Sequence, residues 1–219
     1  MSGVSTMDAT AWDARYAGAD LVWSSEPNRF VEELVAPLAP GLALDVAAGE
    51  GRNALWLAGR GWDATSADFS PVAVERARGL SERLAPGAGP FRALVADALE
   101  PAPPPPTGDG YDLVLFAYLQ LPGPEWARAL AGGVAAAVPG GTVLVVCHAA
   151  RNLTEGVGGP RDPEVLHDPD EVVAAVADLP VEVVSAELRE RPVDGADRPA
   201  LDTVVVLRRV ADEVHPGGS

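Results

Sequence analysis

The chain has no lysine: all 16 of its basic residues are arginine. Chemistry that needs an ε-amino group, whether a Schiff base or the lysine of a phosphate-binding loop, is therefore excluded. Cationic charge is scarce too, with 16 basic residues against 32 acidic ones and a net charge of −16. No basic cluster offers a footprint to a nucleic acid backbone, and the net charge repels one. An anionic membrane surface is disfavoured for the same reason. Cys147 is the single cysteine, which rules out a disulfide framework and a thiolate metal cluster. A reducing cytoplasm is the expected compartment, and no metal site is expected. No apolar run approaches the roughly 18 residues that span a bilayer. The N-terminus, MSGVSTMDAT, lacks the basic and apolar segments of a secretory signal.

What is present reads as one domain of α/β size. The most informative stretch, Leu42 to Phe69, reads LALDVAAGEGRNALWLAGRGWDATSADF. An apolar run ends in Asp45 and meets the turn Gly49-Glu50-Gly51. An amphipathic segment and a second strand-like run ending in Asp68 follow. This is a strand, a tight loop, a helix and a second strand. In open parallel sheets the ligand crevice lies outside the carboxyl ends of the strands, so both acids face one pocket. Two carboxylates beside a glycine turn suit a ligand that is cationic and rich in hydroxyls.

Periodicity places N-terminal helices over 8–20 and 27–39, the second opened by Pro27. Strands are expected at 42–47, 63–68, 91–97, 111–118, 142–148, 181–190 and 201–209. Helices are expected at 52–60, 71–85, 124–138 and 169–178, with Ser70 capping the second of these. The runs 111–118 and 142–148 are almost continuously apolar, as strands buried on both faces should be. The last two strands have no helix between them, so the sheet should end antiparallel. A proline-rich connection spans 100–110. The long stretch 149–168 is of the length that is usually functional.

Asp45-Val46-Ala47-Ala48-Gly49-Glu50-Gly51 resembles the first signature of class I S-adenosylmethionine-dependent methyltransferases. Gly51-Arg52-Asn53-Ala54 is similar to the small-molecule members, including the tellurite- and thiopurine-methyltransferase-like proteins. Asp68-Phe69-Ser70, Val95-Ala96-Asp97-Ala98, Tyr111-Asp112-Leu113-Val114 and Pro139-Gly140-Gly141 resemble later landmarks of that family. The resemblance covers nearly the whole chain and implies a Rossmann-like three-layer α/β sandwich. Its sheet would be seven-stranded and mostly parallel, with one reversed C-terminal strand. It divides the chain into an N-terminal helical lid or cap (1–40), the cofactor-binding domain (41–210) and a tail (211–219). Ala48 departs from the cysteine common at that position, but a small side chain is kept.

The same resemblance implies S-adenosylmethionine as cofactor and a small-molecule methyl acceptor. The expected cofactor residues are Trp23, Asp45, Ala47, Gly49, Gly51, Asn53, Asp68, Phe69, Asp97 and Ala98. Gly49 and Gly51 allow close backbone approach, and the helix opening near Arg52 and Asn53 offers amides to the ligand carboxylate. Asp45 would face the ammonium group and Asp68 the ribose hydroxyls. Asp97 would take the adenine amino group, with the Ala98 or Leu99 amide on a ring nitrogen. His148, at the ligand end of the fifth strand, is the first candidate for a general base. Tyr118 is a candidate for the acceptor pocket.

Two other readings stand beside this one. Gly49 to Ala54 also satisfies the G-x-G-x-x-A dinucleotide fingerprint of an NAD-type oxidoreductase. Glu50 argues against it: a charge about 6 Å from a pyrophosphate is repelled by roughly 3 kcal/mol at an effective dielectric near 20. The other is a non-catalytic domain that binds the methyl donor as a sensor. Cys147 and Trp56 read as core, Trp12 and Tyr16 as core or lid, and His167 and His215 as surface residues. Asn152, Thr154 and Glu155 either select an acceptor or shape the 149–168 loop.

Overall fold

A computed structural model describes residues 26–211. Trp12, Tyr16, Trp23 and His215 lie outside the described residues. In chain order the elements are α1 (Arg29–Val35), β1 (Leu42–Val46), α2 (Arg52–Gly59), β2 (Asp63–Asp68), α3 (Pro71–Ser81) and β3 (Phe91–Val95). After them come β4 (Tyr111–Ala117), α4 (Gly123–Ala136), β5 (Ala137–His148), α5 (Asn152–Glu155), α6 (Pro169–Ala175), β6 (Val181–Arg191) and β7 (Ala200–Arg209). A short 3₁₀ turn, Pro163–Val165, lies between α5 and α6.

All seven strands form one sheet in the order β3-β2-β1-β4-β5-β7-β6. The pairs from β3 to β5 are parallel. β7 runs antiparallel to both β5 and β6, so it is the one reversed strand. Its reversal follows from chain length: the eight residues between β6 and β7 can close a hairpin but are too few for a parallel crossover.

Alternation along the central strands sorts the core into two layers. Leu113 and Leu115 of β4 and Leu144 and Val146 of β5 pack with Phe30, Val31, Ala54 and Leu57 of α1 and α2. Val114, Phe116, Val143 and Val145 face the other way, against Trp126, Leu130 and Val134 of α4. Helices on both faces of a mostly parallel sheet give the three-layer sandwich. No helix among the described residues is long and apolar enough to cross a membrane.

Several boundaries move from their expected positions. The first described helix begins at Arg29 because Asn28, not Pro27, caps it; Asn28 Oδ1 accepts from the amides of Phe30 (2.8 Å) and Val31 (3.3 Å). Pro139-Gly140-Gly141 lies within β5 as an irregularity, where the register against β4 slips between Tyr111 and Leu113. β3 stops at Val95, so Asp97 sits in the turn beyond the strand. The stretch 149–168 is built rather than open. Asn152 is buried, its Oδ1 accepts from the Leu201 amide at 2.7 Å, and its Nδ2 donates to the Gly158 carbonyl at 2.9 Å. Of the two roles open to Asn152, the structure shows the shaping one.

Candidate active site

Parallel pairing brings the carboxyl ends of β1, β2, β3, β4 and β5 to one edge of the sheet. β7 enters at that edge because His148 pairs with Asp202. The chain reverses sharply after β1. Ala47 takes φ 54°, Gly49 57° and Gly51 78°, so an alanine adopts the left-handed conformation glycine normally supplies. Strain of this kind clusters at ligand sites.

Two acids hold this turn from beneath. Asp68 is buried, and its oxygens accept from the amides of Gly49 at 2.8 Å and Ser70 at 2.9 Å. Asp45 is 1% exposed, and its Oδ2 accepts from the Ala54 amide at 3.2 Å. Its Oδ1 has no hydrogen-bond partner. Burial raises the Asp45 pKa to about 7, against the lowering effect of the Ala54 amide and the Arg52 charge.

Other expected cofactor residues have partners already. The Asn53 side chain accepts from the Asn28 backbone amide at 2.9 Å, tying the helix after the glycines to the N-terminal segment. Asp97 is exposed and its Oδ1 accepts from the Leu99 amide at 2.9 Å, so that amide is satisfied within the turn. Asp97 and Ala98 line a cavity of about 20 Å³ together with Val46, Ala67 and Ala96. Phe69 is half-buried beside Asp68.

Glu50 is a correction in kind. It is buried and bonded to Arg76 at 2.7 Å. An acid with so close a counter-charge is a weak barrier to a pyrophosphate, so the electrostatic case against a dinucleotide loses force.

The acceptor side is organised by a residue that sequence reasoning missed. Asp202 of β7 is 0% exposed and is approached from three other strands or strand ends. Tyr118 donates its hydroxyl to Oδ2 at 2.9 Å, and Arg191 donates Nε to the same oxygen at 2.6 Å. His148 Nδ1 lies 3.2 Å from Oδ1, and neither of these buried atoms has another hydrogen-bond partner. The Tyr118 ring stacks on His148 with centroids 4.5 Å apart, and the Arg191 guanidinium lies over the Tyr118 ring. Burial pushes Asp202 up, but hydrogen bonds from His148 and Arg191 and the Arg191 charge outweigh it and hold the carboxyl below its usual value. Tyr118 is pushed well above the usual phenol range by burial and by the Asp202 charge. It serves as a donor, not as a base. The signal that marks Asp202 in the sequence is an acid inside an apolar strand, ALDTVVVL.

Above this cluster opens a cleft of about 630 Å³, lined among others by Asn28, Arg29, Arg52, Tyr118, His148 and Arg191. The backbone of Gly159 reaches its wall at φ 75°, where an added Cβ would meet His148 Nδ1 at 3.1 Å. The remaining histidine of the described residues is not on the surface. His167 is buried, stacked on Trp126 with centroids 5.0 Å apart, with Nε2 3.1 Å from the Leu121 carbonyl. Cys147 is a buried thiol that donates to the His167 carbonyl at 3.7 Å.

This fold and edge define the class I methyltransferase architecture, and solved structures agree. One, from work on the conversion of a disulfide bond into a thioacetal group during echinomycin biosynthesis, has a TM-score of 0.73, 23% identity and 94% coverage of each chain. A 1,6-didemethyltoxoflavin N1-methyltransferase of Burkholderia thailandensis, holding its acceptor and S-adenosylhomocysteine, gives 0.67 at 17% identity, over 93% of this chain and 87% of that one. The magnesium protoporphyrin IX methyltransferase of Synechocystis PCC 6803 with bound S-adenosylmethionine gives 0.64 at 15%, over 95% of this chain and 100% of that one. No curated protein matches by sequence. Residues 43–141 match the methyltransferase domain family. Over residues 43–141 the chain is thus similar to methyltransferase domains, and the solved structures share its fold.

Proposed function

We propose that the protein transfers a methyl group from S-adenosylmethionine to a small-molecule acceptor bound in the cleft over His148. The observation that carries this is Asp45 Oδ1, a buried carboxylate oxygen without a partner at the ligand edge of the sheet. Such an atom calls for a cationic donor, and the ammonium group of this cofactor supplies one. A dinucleotide pyrophosphate does not. The cofactor, when bound, supplies a methyl carbon on a cationic sulfur that leaves as a neutral thioether with the bonding electron pair.

Asp45 and Asp68 hold the cofactor in this reading, with Gly49, Gly51 and the opening of α2 admitting its carboxylate end. Ala47, Phe69, Asp97 and Ala98 flank the nucleoside. Asn53 acts through Asn28 rather than by contact. The cleft aligns the acceptor, and alignment with water exclusion is worth up to roughly 7–11 kcal/mol of a barrier. His148 Nε2 takes the proton of an acceptor that must lose one, while Asp202 beside Nδ1 fixes the tautomer that leaves Nε2 basic. The acidic surface turns nucleic acids away, and the buried, reduced Cys147 suits a cytoplasmic setting.

Calorimetry of the protein with S-adenosylmethionine and with NAD tests the reading. Saturable binding of the methyl donor alone is the expected result. Tight NAD binding with no response to the methyl donor overturns it. Methyl-donor binding without turnover over a broad acceptor panel would support the sensor.

A further inference from the structure

The cleft wall has a chemical bias that the methyl-transfer reading does not use. The chain has 32 acidic residues, yet none of the described residues lining the cleft is Asp or Glu, while three are arginines. Arg52 acts on Asp45, and so belongs to the cofactor side. Arg191 and Arg29 remain for the acceptor.

Arg191 is held ready. Its Nε is fixed on Asp202 at 2.6 Å and its guanidinium carbon lies over the Tyr118 ring, 5.7 Å from the centroid. The guanidinium is therefore presented in one orientation beside His148, and little side-chain freedom is lost when it grips a ligand. Arg29 projects from the first turn of α1 with the Phe30 ring as its neighbour, 5.5 Å away. Among the described residues it has no carboxylate within ion-pair distance; of the two acids on α1, Glu32 and Glu33, the second bonds Arg189 at 2.8 Å.

A neutral acceptor seated here would take water from Arg29 and from the edge of Arg191 that Asp202 does not hold, without replacing those hydrogen bonds, which costs affinity. A carboxylate matches the guanidinium fork with two parallel hydrogen bonds. We propose that the acceptor carries an oxyanion, a carboxylate on a small organic body, gripped by Arg191 and Arg29 so that its nucleophilic atom faces His148. This rests on the methyl-transfer reading of the same cleft.

The test is titration calorimetry on the full chain, free and saturated with S-adenosylhomocysteine, using benzoate, its neutral isostere benzamide and inorganic phosphate as probes. Benzoate is expected to bind about tenfold or more tightly than benzamide. It should weaken by about tenfold in Arg191→Met and by roughly threefold in Arg29→Met. Arg29 is exposed, so its variant folds even if Arg191→Met does not. Phosphate binding as tightly as benzoate, with the same losses, supports the oxyanion but assigns it to an inorganic source. Benzamide matching benzoate, or benzoate indifferent to both variants, overturns the proposal. The nucleoside titration stands apart: failure of S-adenosylhomocysteine to bind overturns the methyl-transfer reading, while the probes still report on the arginines of the free protein.

Discussion

The hydroxyl of Tyr118 crosses 84 positions of sequence to donate to the fully buried Asp202 at 2.9 Å. That bond joins the end of β4 to the reversed strand, and the phenol ring stacks on His148 at an interplanar angle of 26°. Tyr118 takes a positive φ, 63°, to do so. A bulky residue in this conformation is a strained one, and the Asp202 contacts hold it there.

Asp202→Asn should therefore lower stability by about 3 kcal/mol, since it removes the charge that Arg191, Tyr118 and His148 share in a buried site. The folded carboxyl titrates below its usual value, so this contribution is complete above the ordinary carboxyl range and fades as pH falls through the lowered one. Denaturant unfolding of both proteins from pH 3 to pH 7 measures the difference. Long-range nitrogen NMR of His148 gives a second reading. The wild type should carry its ring proton on Nδ1, and the variant should lose that preference. Unchanged His148 shifts would separate the acid from the imidazole.

If Asp45 holds the cofactor as proposed, binding is proton-linked. Its folded pKa is raised to about 7 from an ordinary 3.8. Between those values the unfolded chain binds fewer protons than the folded one, so stability falls as pH rises through the window and is level above it. The span corresponds to about 4 kcal/mol. A cation beside Asp45 favours the carboxylate, so binding below about pH 7 releases a proton and affinity should climb with pH toward a plateau. Calorimetry with S-adenosylmethionine at pH 6 in two buffers of different ionisation enthalpy detects that proton. Asp45→Asn should flatten both pH slopes. A slope that survives in the variant would move the linkage to another group.

The turn after β1 supports opposite substitutions at two neighbouring positions. Ala47 sits at φ 54°. Glycine there removes left-handed strain of about 1–2 kcal/mol and gives back about 0.5–1 through unfolded-chain entropy. Ala47→Gly should thus stabilise by about 0.5 kcal/mol. Gly51 has φ 78°, and an added Cβ would lie 3.1 Å from Ser66 Oγ and 3.2 Å from Ala77 Cβ. Strain and crowding add, so Gly51→Ala should destabilise by about 2 kcal/mol. Thermal unfolding of the pair checks both signs.

The fold was legible because its signals are local. The almost continuous apolar run in 111–117 and the acid-glycine-helix order after Asp45 each fix an element without reference to anything distant. The antiparallel finish followed from a missing helix. The proposed cofactor side is compact in sequence for the same reason: Asp45, Gly49, Gly51 and Asp68 fall within one strand-turn-helix-strand unit. The acceptor side was not. Asp202 meets Tyr118, His148 and Arg191 only after four strands have assembled, and no spacing in the chain announces that. His167 misled for a related reason. A histidine in a polar loop reads as exposed until Trp126 of a distant helix is stacked on it.

Asp68 serves two purposes that one experiment can separate. Its two oxygens accept from the amides of Gly49 and Ser70, and the proposed cofactor role adds the ribose hydroxyls. Charge-assisted bonds of this kind contribute about 1.5–3 kcal/mol each when buried. Asp68→Asn keeps one acceptor oxygen but turns the other into a donor facing an amide donor. It should destabilise the free protein by about 2 kcal/mol and weaken S-adenosylhomocysteine by about tenfold or more. A loosened turn alone would weaken every nucleoside ligand to the same degree. The comparison is therefore made with the analogue of S-adenosylhomocysteine that lacks both ribose hydroxyls, titrated into wild type and variant. If the acid binds the hydroxyls, the analogue is already weak in the wild type and loses little more in Asp68→Asn. Equal losses for the two ligands would confine Asp68 to holding the glycine turn.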